Sequence, residues 1–150
     1  MSAQTDGTEN SKQRTTFTDT SKIFIGGNRY DTFSAEFTND TYEDSVPAGT
    51  VFGQIASTRK VVPLDAIATD GSQYPIGILA SDLTVLAGED FTGDVYLCVE
   101  GDVAQEKVLF ADATTVNTVI EDKTVRARIG ADTVGVKLVT GTELTEYDND

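Results

Sequence analysis

Histidine is absent from this 150-residue sequence, and cysteine occurs once, at position 98. Without histidine, Ser-His and Cys-His catalysis and every histidine-ligated metal site are excluded. A single cysteine cannot form an internal disulfide, and Cys98 lies inside an apolar, strand-like run that predicts a buried, inert thiol. No apolar stretch approaches the ~18 residues of a membrane-spanning helix. The start of the chain lacks the basic and apolar regions of a signal peptide, so we expect synthesis in the cytoplasm of a host cell.

Basic residues are also scarce, with 11 Lys and Arg against 25 Asp and Glu, a formal net charge of −14. Nucleic acids and anionic membrane surfaces are bound through clustered Lys and Arg, so we expect neither as a direct partner. The ordinary consequence of such acidity is solubility and repulsion between copies.

No group of residues in the sequence predicts catalysis. At this density of carboxylates a single acidic pair is uninformative, and Asp70-Gly71-Ser72 is best explained as a turn. Gly26-Gly27 lacks the third glycine of a dinucleotide-binding fingerprint, and the acidic loop 39–44 lacks the spacing of an EF-hand. We therefore expect no enzyme, no cofactor and no metal site. A hydrolase that uses carboxylates alone would need a deep pocket.

The distribution of apolar residues divides the chain into three parts. Residues 1–21 are polar, with Phe17 as their single aromatic residue, and cannot bury enough apolar area to fold alone. Apolar runs begin near Lys22 and stop at Val139, and the last residues carry four carboxylates and no base. We assign 1–44 to an N-terminal arm or extension, 45–139 to a β-rich core, and 140–150 to a frayed acidic tail.

Short strands separated by turn residues are predicted from Val46 onward. The clearest are Asp94–Glu100, where apolar and other residues alternate, and the dense apolar run Pro75–Ala80. Asp31–Thr41 fits either an extended segment or a helical turn. Thr114–Arg128 combines a helical apolar face with Thr and Val, which favour strands, and we predict a short helix there. The pattern predicts a mainly β fold, a small barrel or sandwich with one short helix.

The middle of the chain resembles the lambda-type bacteriophage head decoration (capsid-stabilising) proteins. The resemblance covers roughly residues 45–139 and is carried by an ordered set of segments: Ala48–Gly53, Thr58–Asp65, Thr69–Ser72, Pro75–Ala80, Val95–Gly101 and Val108–Leu109.

This resemblance implies a capsid decoration protein of the virion that binds the outer surface of the expanded head. It implies homotrimers at three-fold and quasi-three-fold sites that stabilise the head against internal DNA pressure. The implied partners are the major capsid protein of the same phage and further copies of this chain, and the implied host is bacterial. The family also implies an N-terminal arm that orders on the shell by adding a strand to the major capsid protein.

The polar arm and the β-prone residues that follow it agree with that implication. The candidate capsid-binding residues are Phe17, Lys22, Ile23, Phe24 and Ile25. The docking strand could instead lie as early as Thr15–Thr18, and residues 28–44, which have no clear counterpart in the family, could form an extra subdomain.

The alternative function is a phage tail-associated or adhesin-type β-domain that binds a cell-surface glycan. Such a domain would display exposed aromatic residues in a groove. The candidates Tyr30, Tyr42, Tyr74 and Tyr96 are scattered along the sequence.

Overall fold

A computed structural model of the chain describes residues 22–132 and 135–140. The elements in chain order are β1 (Phe24–Thr38), β2 (Ser45–Val46), β3 (Val51–Gln54), β4 (Val61–Pro63), β5 (Pro75–Leu79), β6 (Leu83–Thr84), β7 (Asp90–Ala104), a 3-10 turn (Gln105–Lys107), β8 (Val119–Ile120), β9 (Lys123–Thr124), α1 (Val125–Asp132) and β10 (Val136–Val139). The predicted strand at Asp94–Glu100 lies inside β7, and the apolar run at Pro75–Ala80 is β5 with one further residue.

Five strands close into a barrel in the order β1-β4-β3-β5-β7, and β7 pairs back onto β1. Strand β10 extends the sheet by pairing in parallel with the end of β7. Two small antiparallel pairs, β2–β6 and β8–β9, lie outside the barrel sheet. Closure pairs the edges that an open sheet would leave free. The predicted mainly β fold, a small barrel with one short helix, is confirmed.

The longest pairing joins β1 to β7, two antiparallel strands of 15 residues each. It runs from Thr38 opposite Asp90 to Phe24 opposite Val103, with register shifts confined to the part before Tyr30. Strand β1 falls within the range 1–44 that the sequence assigned to an arm, and its pairing makes residues 24–38 part of the barrel wall. The arm proper, residues 1–21, and the tail from 141 lie outside the described residues, and the division of the chain into domains stays a prediction.

The central wall strands are buried on both faces. Phe52, Leu79 and Leu97 belong to a cluster inside the barrel, where Phe37 meets Phe52 edge to face with ring centroids 5.8 Å apart. Their chain neighbours Val51, Ile78 and Cys98 belong to a second cluster, completed by α1, β8, β10 and the loops around them. Burial on both sides explains why β5 is a dense apolar run in the sequence, whereas β7 is buried on both sides at residues 97–99 and alternates before them. We call the elements over the second cluster the covering layer.

The predicted helix over Thr114–Arg128 is wrong in position, because α1 spans Val125–Asp132. In the segment before α1, side-chain oxygens accept hydrogen bonds from backbone N–H groups. Asp112 Oδ1 accepts from the Thr114 N–H at 2.9 Å. Thr118 Oγ1 accepts from the Thr115 N–H at 2.9 Å. Such local bonds compete with helix formation. Strands β8 and β9 then form a tight hairpin whose turn holds Glu121 at φ 63°.

Replacing Gly53 tests the close packing of the barrel wall. A Cβ atom at Gly53 would lie 2.2 Å from the backbone oxygen of Ser72, whereas one at Gly26 would meet nothing within 4 Å. We expect Gly53→Ala to lower the free energy of unfolding by about 1–3 kcal/mol, the usual cost of overpacking. The control Gly26→Ala should change it by less than about 1 kcal/mol. Urea denaturation of both variants checks this, and equal losses would contradict the wall geometry.

Candidate functional site

The start of β1 is the root of the predicted arm, and it is anchored in the protein itself. The Ala104 N–H donates to the Ile23 carbonyl at 2.8 Å, and both Ile23 and Phe24 pack against the covering-layer cluster. The Phe24 ring meets the Tyr30 ring edge to face, with centroids 5.6 Å apart. Of the other candidates, Ile25 is half-buried, Lys22 is exposed, and Phe17 lies outside the described residues.

The β1–β7 ladder turns one face toward the barrel interior and the other outward. Inward-facing Phe33, Ala35 and Phe37 join the interior cluster. The residues between them face solvent, and we call this surface the outer ladder face; it consists of Tyr30, Thr32, Ser34, Glu36 and Thr38 from β1 and Asp90, Thr92, Asp94 and Tyr96 from β7. The alternation of apolar and polar residues over 30–38 is the sequence signal that could have identified this strand and its outward face.

Two tyrosines scattered in the sequence come together at one end of this face. Thr32 lies opposite Tyr96, and Tyr30 lies opposite Cys98, so Tyr30 and Tyr96 are diagonal neighbours on adjacent strands. They are 42% and 58% exposed. Tyr42 and Tyr74 are half-buried and lie elsewhere, against the interior and the covering-layer clusters respectively.

Charge is unevenly distributed along the outer ladder face. Glu36, Asp90 and Asp94 all lie toward the end away from the tyrosines, where Thr38 Oγ1 donates to Asp90 Oδ1 at 2.5 Å. Next to the tyrosine end, Arg29 Nε and Glu100 Oε1 are 3.2 Å apart, in a pair about half exposed to solvent. An exposed ion pair of this kind contributes little to stability. The face therefore has an aromatic end near the root of the arm and an acidic end away from it.

Cys98 lies opposite Tyr30 and is fully buried, as its sequence context predicted. Asn28 Nδ2 donates to the thiol sulfur at 3.5 Å and to the Asp102 carbonyl at 3.0 Å. Burial raises the pKa of the Cys98 thiol, which keeps it protonated and unreactive at neutral pH. Partial burial, together with the nearby Cys98, also raises the pKa of Tyr30.

An open cleft of ≈ 380 Å³ lies beside the end of β1, and four aspartates line it: Asp40, Asp65, Asp70 and Asp112. Three of them accept hydrogen bonds from backbone N–H groups two residues later, at 3.2 Å for Asp65, 3.0 Å for Asp70 and 2.9 Å for Asp112. These bonds form Asx turns, so the carboxylates serve local structure. The turn predicted at Asp70-Gly71-Ser72 is confirmed.

Across residues 22–132 and 135–140, no three acidic or cysteine side chains are grouped so that they could hold a metal ion. No helix in the same residues has the length and apolar character to cross a membrane.

The model of one protein family, described as bacteriophage lambda head decoration protein D, matches residues 31–129, about two thirds of the chain. The chain belongs to this family. The match begins within β1, at residue 31, and ends in α1, so it includes most of the closed barrel and most of the outer ladder face. A comparison with individual curated proteins gave no significant match. The match confirms the family resemblance seen in the sequence, and it corrects the expectation for residues 28–44, because residues 31–44 do have a counterpart in the family. Head decoration proteins are structural proteins of the phage capsid and not a class of enzymes.

The turn at Asp70 predicts a specific acid sensitivity. Ser72 Oγ and Ser72 N–H donate to Asp70 Oδ1 at 2.6 and 3.0 Å, and these bonds lower the pKa of Asp70. A lowered folded-state pKa contributes stability above the unfolded-state pKa of about 3.9, and that stability is lost as the pH falls through the folded-state value. Asp70→Asn should therefore reduce the loss of stability on acidification below about pH 4.

Urea midpoints measured from pH 6 to pH 2.5 check this prediction. Asp40→Asn is the matched control, since Asp40 lines the same cleft and no hydrogen bond to its carboxylate is found within the described part of the chain. A pH dependence of Asp70→Asn that is the same as that of the unaltered chain would contradict the prediction.

Proposed function

We propose that this protein is a capsid cement protein that binds the outer surface of the expanded phage head. In this proposal it binds as a homotrimer at three-fold and quasi-three-fold sites and stabilises the head against internal DNA pressure. The observation that carries the proposal is the family match over residues 31–129, which includes most of the closed barrel. The polar segment that leads into β1 supports it, because that segment has little apolar area to bury within the chain itself.

Stabilisation follows from selective binding. A protein that binds the expanded shell, and not the compact precursor or the free subunits, lowers the free energy of the expanded state by mass action. The stabilisation of the expanded shell grows with the logarithm of the ratio between the free concentration of the decoration protein and its Kd. It reaches about 2.7 kcal/mol when that concentration is a hundred times Kd. Neither a nucleotide nor a metal is required for this mechanism.

Trimerisation turns weak single attachments into a tight one. Once one arm of a trimer is bound, the others bind at a high effective concentration, which can raise the overall affinity by 10²–10⁴. The net charge of −14 supports a partner made of protein rather than nucleic acid or anionic membrane. It also favours separation of decorated particles, because their surfaces repel one another.

The five candidate arm residues divide into a docking part and a root. We assign docking on the major capsid protein to the segment that contains Phe17 and Lys22, through strand addition to a sheet of the shell. Ile23, Phe24 and Ile25 form the root, because the first two already pack within the barrel protein. The root fixes the direction in which the arm leaves the barrel.

Deleting residues 1–21 tests the arm. The deletion spares β1 and the bond between Ala104 and Ile23, so the barrel should keep its unfolding midpoint. Affinity for purified expanded shells should fall by about 10²–10⁴, measured by co-sedimentation. Deleting residues 141–150 is the control, and it should leave binding unchanged.

Full retention of shell binding without residues 1–21 would contradict the arm assignment. Binding of the complete chain to a bacterial glycan array, with no binding to expanded shells, would replace the proposal by the glycan-binding alternative.

A further inference from the structure

We propose that the capsid-binding surface continues from the arm onto the barrel, where Tyr30 and Tyr96 contact the major capsid protein. This inference rests on the proposed function and adds to it a second, preformed contact. The partner surface it requires is an apolar patch of the shell with hydrogen-bonding groups that the two tyrosine hydroxyls can reach.

Exposure first distinguishes this pair from the other apolar residues on the surface. Tyr30 and Tyr96 are 42% and 58% exposed, and they are neighbours across one ladder. Among the residues that the structure describes, the other large exposed apolar side chains lie apart from the outer ladder face, on β8 or on loops: Ile67, Leu86, Leu109 and Val119. Single exposed apolar residues are ordinary, whereas two exposed aromatic side chains with polar tips on one strand face are typical of protein interfaces.

The pair also lies where the covering layer of the barrel wall ends. Cys98, one step along the same face of β7 from Tyr96, is fully buried in the covering-layer cluster, while Tyr96 is more than half exposed. Within the described residues, the main contacts of α1 are with β5, β9 and β10 rather than with the two strands of the ladder. The aromatic end of that face is therefore open to a partner.

The position of the arm selects the partner. The Phe24 ring touches the Tyr30 ring, and only Lys22 and Ile23 separate Phe24 from the 21 residues of the arm. An extended chain advances about 3.3–3.6 Å per residue. A shell that holds the arm close to Lys22 must therefore lie within a few residues' length of Tyr30, where its surface can cover the tyrosines.

Charge limits how far this contact can extend. Beyond the tyrosines, the outer ladder face carries Asp94, Glu36 and Asp90, and burying unpaired carboxylates is costly. The half-exposed pair of Arg29 and Glu100 borders the aromatic end and suits the polar rim of an interface. The barrel is therefore expected to contact the shell with its aromatic end and to keep its acidic end in water.

The test uses the full-length chain with expanded shells. Tyr30→Ser/Tyr96→Ser should bind at least about tenfold more weakly than the unaltered chain, since a tyrosine at the centre of an interface is commonly a hot spot. Tyr30→Phe/Tyr96→Phe keeps the ring area and should lose less. The matched control Ile67→Ser/Val119→Ser removes apolar residues that are 89% and 59% exposed, and it should bind normally.

Two further measurements separate this contact from the alternatives. Because Tyr30 packs against Phe24, the single change Tyr96→Ser is measured as well, with its unfolding midpoint and its mass by light scattering. Normal mass and stability with weakened binding supports the proposal. Unchanged binding overturns it, and so does loss of the oligomer, which would make the pair a contact between copies. If the unaltered chain itself fails to bind shells, the proposed function and this inference both fall.

Discussion

The antiparallel ladder between β1 and β7 is the interaction on which the rest of the structure depends. It closes the barrel, because without it β1 would pair only at Ala35 with Val61 of β4 and leave a long edge unpaired. Unpaired edges invite association with other strands, so closure limits unwanted pairing between copies of the chain. The ladder also positions the end of β7 for its parallel pairing with β10. Strand β10 in turn contributes Val136 to the cluster beneath the covering layer.

The same ladder connects the fold to its function. Its inner face contributes to the barrel interior, and its outer face joins the root of the arm to an aromatic end and an acidic end. A paired strand of this length holds these features in a fixed order, so that an arm bound to a shell would orient the barrel above it. Family membership makes the chain a capsid decoration protein, and the ladder provides a physical account of how it could be held there.

Much of the core could be predicted from the sequence, because burial leaves a clear pattern there. Alternation identified β7 and the dense apolar run identified β5, whereas β1 was obscured by Gly26 and Gly27 and by the register shifts around them. The helix was misplaced because local side-chain hydrogen bonds and a tight hairpin use the residues before Val125. Nor does the sequence reveal that Tyr30 and Tyr96 lie on neighbouring strands of one face, since their proximity depends on a pairing across more than sixty residues.

The most direct test of the account is a cryo-EM reconstruction of expanded heads decorated with this protein. The account predicts trimeric density on the outer surface at three-fold and quasi-three-fold sites. In that density Phe24, Tyr30 and Tyr96 should face the shell, and Asp90 should point away from it. Absence of such density, or a barrel that meets the shell through its acidic end, would contradict the account.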